Sequence, residues 1–162
     1  PPRSTLFPYT TLFRSLLGRK EGKIFIPPNQ QFAVFESRFN AGESSIRSVV
    51  FEFKEPLVWI KKEPTLQTLP IRATNVVFVD DKDTPNLSAT IVNDSIYDVP
   101  EFDVIAILYD ADRNAINASK THKTGLASNK SSQVIFTWPE IISPLPATKD
   151  ILISINPFSV SY

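Results

Sequence analysis

One histidine and 17 Asp plus Glu are the first candidates in this chain for acid–base and metal-ligating chemistry, and it has no cysteine. The lack of cysteine excludes thiol catalysis, disulfides and Cys-based zinc sites. Asp110, Asp112 and Asn114 have the D-x-D-x-N spacing with which a calcium loop opens. Such a loop then requires a Gly directly after the Asn and a bidentate Glu at its end. Ala115 and Thr121 stand there instead, between segments that read as strands, so the run is a solvated hairpin turn. Asp80, Asp81 and Asp83 cluster at another turn and read as a soluble loop. His122 sits among Lys120, Thr121, Lys123 and Thr124. A triad needs a nucleophile, a base and an orienting acid converging in space, and nothing in this polar stretch suggests that convergence. No carboxylate pair stands out for glycoside chemistry. No catalytic, cofactor-binding or metal-ligating residue is assigned, and the chain is read as a non-enzyme that carries no cofactor.

Aromatic side chains are the other candidates. Trp59, Trp138 and Tyr97 would be the material for a sugar-binding platform. Trp138 continues the alternation of Val134 and Phe136 and is expected in a core. Trp59 lies near a module junction and is expected to plug it. Tyr97, in the turn 94–98, is expected to be exposed. A carbohydrate-binding accessory module is therefore the alternative reading. It requires two or more coplanar exposed aromatics. Asn86, Asn93, Asn117 and Asn129 each begin an N-x-Ser sequon, which matters only in a host that glycosylates.

The elements that position these residues are strands. The apolar fraction of 42% is enough for a core, and it is made of Ile, Val and Phe with no Met, which suits pleated sheet. The 14 prolines fall mostly between apolar runs, where a missing amide donor does least harm. Six such runs occupy the C-terminal part: Thr74 to Asp80, Asn86 to Asn93, Phe102 to Tyr109, Ala115 to Thr121, Val134 to Trp138 and Ile151 to Ile155. Period-two alternation separated by turn residues predicts an antiparallel sandwich. In Phe102 to Tyr109 one face carries Phe102, Val104, Ala106 and Leu108, and the other Ile105, Ile107 and Tyr109. Ile105 and Ile107 read equally as core and as an interface, together with Trp59, for a neighbouring module.

The N-terminal part has three runs, Lys23 to Ile26, Phe32 to Ser37 and Arg47 to Phe53. Phe32 and Val34 precede Val49, Phe51 and Phe53 as Val134 and Phe136 precede Ile151, Ile153 and Ile155, at an offset of 102 residues. This reads as the second half of an earlier, similar module. Thr5 to Ser15, Thr-Leu-Phe-Pro-Tyr-Thr-Thr-Leu-Phe-Arg-Ser, resembles the conceptual translation of a sequencing-adapter oligonucleotide. Residues 1–15 are accordingly set aside. The expected organisation is a truncated first module over 16–55, a linker over 56–72 and a complete immunoglobulin-like β-sandwich over 73–162, an all-β chain throughout. The formal net charge of zero gives neither a nucleic-acid footprint nor a polybasic membrane signal.

At Ala106-Ile107-Leu108-Tyr109-Asp110 the second module resembles the FxLYD domain family, and Val104 to Ala118 fits that family's strand, turn, strand pattern. Ala106 stands where the motif has Phe, and Ala115 follows Asn114 where a Gly near the turn is usual. The resemblance implies an immunoglobulin-like sandwich, commonly found in bacterial proteins tethered outside the cytoplasmic membrane, with no catalytic residues. Leu108 is expected to face the core, Tyr109 to lay its ring on the sheet and offer its hydroxyl to a neighbouring strand, and Asp110 to accept bonds from turn amides. The functional expectation is an extracytoplasmic interaction or spacer module with a protein or surface partner, held to the membrane only through an N-terminal anchor lost from this sequence. Reading the gene upstream of the Leu16 codon with different adapters is expected to give further strands preceded by a signal or membrane segment. Persistence of Thr5 to Ser15 as encoded protein contradicts that expectation.

Overall fold

The computed structural model describes residues 3–10, 18–23, 26, 31–36, 46–54, 60, 69–156 and 158–160. The chain divides into two compact units. One comprises residues 1–27 and 36–62, the other residues 28–35 and 63–162. Every described element is a β-strand in an antiparallel sheet.

The first unit holds β1 (Arg3–Thr10), β2 (Lys20–Lys23) and β3 (Ile46–Lys54), in the order β2-β1-β3. Residues that the sequence reading sets aside thus supply the middle strand, which pairs with β2 from Arg3 to Leu6 and with β3 along its whole length. Pro8 lies beyond the last β2 partner, where β1 has a described neighbour on one side only and a missing donor is tolerated. A strand runs over Lys20–Lys23, and of the run expected at Lys23 to Ile26, residues 24 and 25 lie outside the described residues. Residues 31–36 belong to no strand, and Ser37 lies outside the described residues. Phe32-Ala33-Val34-Phe35 is a continuous apolar run, and such a run does not distinguish a strand from a buried connector. Of the two strands proposed to repeat at an offset of 102, only the later one, β3, is a strand here.

The second unit contains β4 (Ile71–Val79), β5 (Asn86–Asn93), β6 (Val99–Tyr109), β7 (Ala115–Leu126), β8 (Ser131–Thr137) and β9 (Thr148–Ile155). They form two three-stranded sheets, β4-β5-β8 and β7-β6-β9. All six expected runs are strands, and β4 begins at Ile71, inside the stretch read as linker. The chain passes between the sheets after β5, β7 and β8, whereas β4-β5 and β6-β7 are hairpins within a sheet. Alternation explains the packing: Leu87, Ala89 and Ile91 of β5 and Val134 and Phe136 of β8 face Phe102, Val104, Ala106 and Leu108 of β6 across one core. Trp138 and Ile142 close it from the β8–β9 connection, and Phe78 meets Trp138 edge to face at 6.3 Å.

β4 keeps its apolar side chains inward only by breaking its own period. Ile71 and Ala73, then Val76 and Phe78, all pack against the core, a change of parity within one strand. The pairing with β5 slips between Thr74 and Val77, and Asn75 takes a φ of 50°. A bulge residue in the left-handed region restores the phase, and Asn is among the few side chains that accept it readily. Asn75→Val is expected to destabilise the unit by about 1–2 kcal/mol, because a β-branched residue cannot adopt this conformation without strain. Asn75→Gly is expected to be close to neutral, and chemical denaturation of both variants measures the difference.

Candidate functional site

Three places on the sandwich gather polar residues: the β6–β7 turn, the outer face of β6, and the end where β5–β6 and β7–β8 cross between sheets. The turn follows directly from the sequence around Leu108-Tyr109-Asp110. Leu108 is fully buried in the core. Asp110 Oδ1 accepts the amides of Asp112 (2.9 Å) and Asn114 (2.8 Å), and Asp110 Oδ2 accepts Nδ2 of Asn114 at 3.0 Å. The backbone closes with Arg113 N donating to Asp110 O and Asp110 N donating to Asn114 O. Asp110 and Asn114 of the D-x-D-x-N run therefore engage each other and the turn amides. The hydrogen bonds from Asn114, side chain first and then backbone, hold the Asp110 carboxyl below the usual aspartate range. The residue in the left-handed region is Arg113, at φ 64°, two positions before Ala115.

On the outer face of β6, Asp103, Ile105, Ile107 and Tyr109 alternate with the core residues. Ile105 is 4% exposed and Ile107 half-buried. Trp59, the third residue assigned to a possible interface, lies outside the described residues. Tyr109 reaches across to Asp150 of β9. Partial burial, followed by the charge of Asp150 and its hydrogen bond, raises the phenol above its ordinary value. Asp103 stands opposite His122 of β7 in the ladder, accepts His122 Nδ1 at 2.9 Å through Oδ1, and meets Lys120 Nζ at 3.3 Å through Oδ2. This His–Asp–Lys group is exposed. Ser154 is opposite Asp103 on the other side, in β9. The acid, not the histidine, occupies the middle strand, so Ser154 and His122 are separated by two strand spacings, roughly 9–10 Å. A nucleophile–base pair needs hydrogen-bond reach, and this row does not supply it. The hairpin about the 110–114 turn places Asp103 and His122 opposite each other, a pairing that the polar residues around His122 do not announce.

The crossing end is organised by Asn93, the first residue of one of the sequons. Asn93 is fully buried. Its Nδ2 donates to the carbonyls of Tyr97 (2.8 Å), Ala127 (3.1 Å) and Leu126 (3.2 Å). Its Oδ1 accepts Ser95 Oγ at 2.6 Å and Ser95 N at 3.0 Å. Glycosylation at this position is incompatible with the fold. The alternation Leu87, Ala89, Ile91 continues to Asn93 and already places it on the buried face. Tyr97, expected to be exposed, is 7% exposed. Burial alternates through Ser95, Tyr97 and Val99 in the bend that leads into β6, which turns the ring inward with its neighbours. Trp138 is buried too. The exposed Phe51 and Phe53 of β3 meet at 90° rather than coplanar, so this pair is not the flat platform that sugar stacking requires.

Among the described residues no three His, Asp or Glu side chains converge on a point that would hold a metal, and no helix is long and apolar enough to cross a membrane. No family model, curated protein or solved structure matches the chain. The fold and its polar groups define an all-β protein whose second unit is an antiparallel sandwich.

Asp110 supplies a pH signature. A carboxyl with a lowered folded pKa contributes stability that is present above its unfolded value and lost as pH falls through the folded one. Asp110→Ala is expected to lower Tm at neutral pH. The gap from wild type is expected to hold down to about pH 4 and to close below it as the wild-type carboxyl protonates. Thermal melts of both proteins across that range check the pattern, and a gap independent of pH contradicts it.

Proposed function

We propose that this chain is a non-catalytic, extracytoplasmic interaction or spacer module of a membrane-anchored bacterial protein, built on an immunoglobulin-like sandwich of the FxLYD kind. The observation that carries the reading is the use of the polar residues. Asp110, Asn114, Asn93 and Ser95 are engaged in closing turns and crossovers, while Asp103, Lys120 and His122 pair on an open sheet face. The strand order β4-β5-β8 over β7-β6-β9, with crossings after β5, β7 and β8, supports the immunoglobulin-like assignment. The Leu108-Tyr109-Asp110 hairpin supports the family resemblance. Binding in such a module runs through end loops or strand edges. Exposed Ile96, Ile141 and Leu145 lie in the connections.

The test is labelling of intact cells of the source organism with a membrane-impermeant amine reagent. The reading expects the lysines of this protein, Lys82 and Lys149 among them, to be modified without lysis. Modification only after lysis overturns the localisation. A hydrolase screen of the purified protein that returned an activity lost in His122→Ala would overturn the non-catalytic assignment.

A further inference from the structure

The two margins of the sandwich are finished differently. At one margin β7 and β8 approach across the sheets, and Thr121 Oγ1 donates to Ile135 O at 3.0 Å. At the other margin β4 and β9 flank an open cleft of about 600 Å³, lined by Ile71, Ala73, Val76, Ile151, Ile153 and Gln31 among others. β9 pairs with β6 on one side, and among the described strands it has no neighbour on the other. Its eight residues, Thr-Lys-Asp-Ile-Leu-Ile-Ser-Ile, contain no Pro and four Ile or Leu. A regular, apolar edge of this kind is a template for another strand, and soluble proteins normally cover it.

The chain itself indicates the cover. Residues 28–35 leave the unit formed by the residues on both sides of them, 1–27 and 36–62, and belong with the sandwich. Gln31 lines the β4–β9 cleft, and Phe32 to Phe35 are half-buried. Phe, Val and Phe in this run suit a strand. We infer that residues 31–35, which belong to no strand in the structure, are the segment that covers this margin: on pairing with the open edge of β9 they become a fourth strand of the β7-β6-β9 sheet. The edge is thereby occupied in cis and withheld from other copies and from extended peptides. The inference does not depend on the extracytoplasmic assignment, because it concerns only which segment holds the edge.

The test is residue-resolved amide hydrogen exchange on the whole chain, for the wild type and for Ala33→Pro and Val34→Pro. In a strand, alternate amides point to the neighbour, so one of the two prolines removes a ladder donor whatever the register. In the wild type, the β9 amides directed away from β6 are expected to exchange at least about tenfold more slowly than those of the exposed stretch 139–141, and one variant is expected to abolish that protection. Amides of Leu87 to Ile91 in the core report whether the sandwich stays folded in each variant. Outward β9 amides that exchange at loop rates in the wild type overturn the inference, as does protection unchanged in both variants while the core amides remain slow. Protection that rises with protein concentration, alongside a dimer in sedimentation, overturns it by assigning the edge to a second copy.

Discussion

The sandwich depends on one buried carboxamide. Asn93 is the last residue of β5, on the face that three residues earlier in the alternation carries only Leu, Ala and Ile. A buried polar side chain left without partners costs about 1–3 kcal/mol. Here both ends of the amide are satisfied, by three carbonyls and by the two donors of Ser95. Those partners come from two places far apart in sequence: 95–97, where the chain leaves the first sheet for the second, and 126–127, where it returns. The amide therefore fixes two of the three crossings between sheets at once. Asn93 N to Lys130 O, Asn129 N to Ser95 O and Ser128 N to Asp98 Oδ1 complete the same end. Deleting the side chain would strand several backbone carbonyls as well as open a cavity.

The opposite end uses the same chemistry with less burial. Asp110 holds the β6–β7 turn through amides, and Trp138 N donates to Pro85 O across the β4–β5 and β8–β9 connections. Between the ends, side-chain alternation does the rest, except in β4, where Asn75 resets the phase. Asn93, Ser95, Asp110 and Asn114 are thus explained by the turns and crossings that need them. The β4–β9 margin is the place where the fold leaves an edge and a cleft.

Much of the second unit is legible in the residues. Asn86 to Asn93 is recovered residue for residue, because strict alternation and flanking turn residues agree. The ends of β6 and β7 extend further than the apolar runs do, since Val99 to Glu101 and His122 to Leu126 pair through backbone groups that their side chains do not announce. Tyr97 is misjudged because a local cluster of Asp and Ser resembles an exposed turn, whereas the alternation leading into Val99 turns the ring inward. The Asn75 bulge is invisible to a period-two count, which simply loses phase there. The first unit is less legible: Thr5 to Ser15 resembles a foreign translation, yet the chain uses Arg3 to Thr10 as a strand, because Thr, Phe and Tyr form strands whatever their origin.

The central claim is that the Asn93 carboxamide ties both crossings, and side-chain amide exchange tests it most directly. In a ¹⁵N-resolved spectrum of the whole chain, the Nδ2 protons of Asn93 should exchange only when the sandwich unfolds, with the same dependence on denaturant as the backbone amides of Ile91 and Val104. The exposed Asn129, whose Nδ2 donates to Ser128 Oγ at the surface, serves as the fast-exchanging reference in the same spectrum. Asn93 protons that exchange as fast as those of Asn129 while the core amides remain protected would contradict the account.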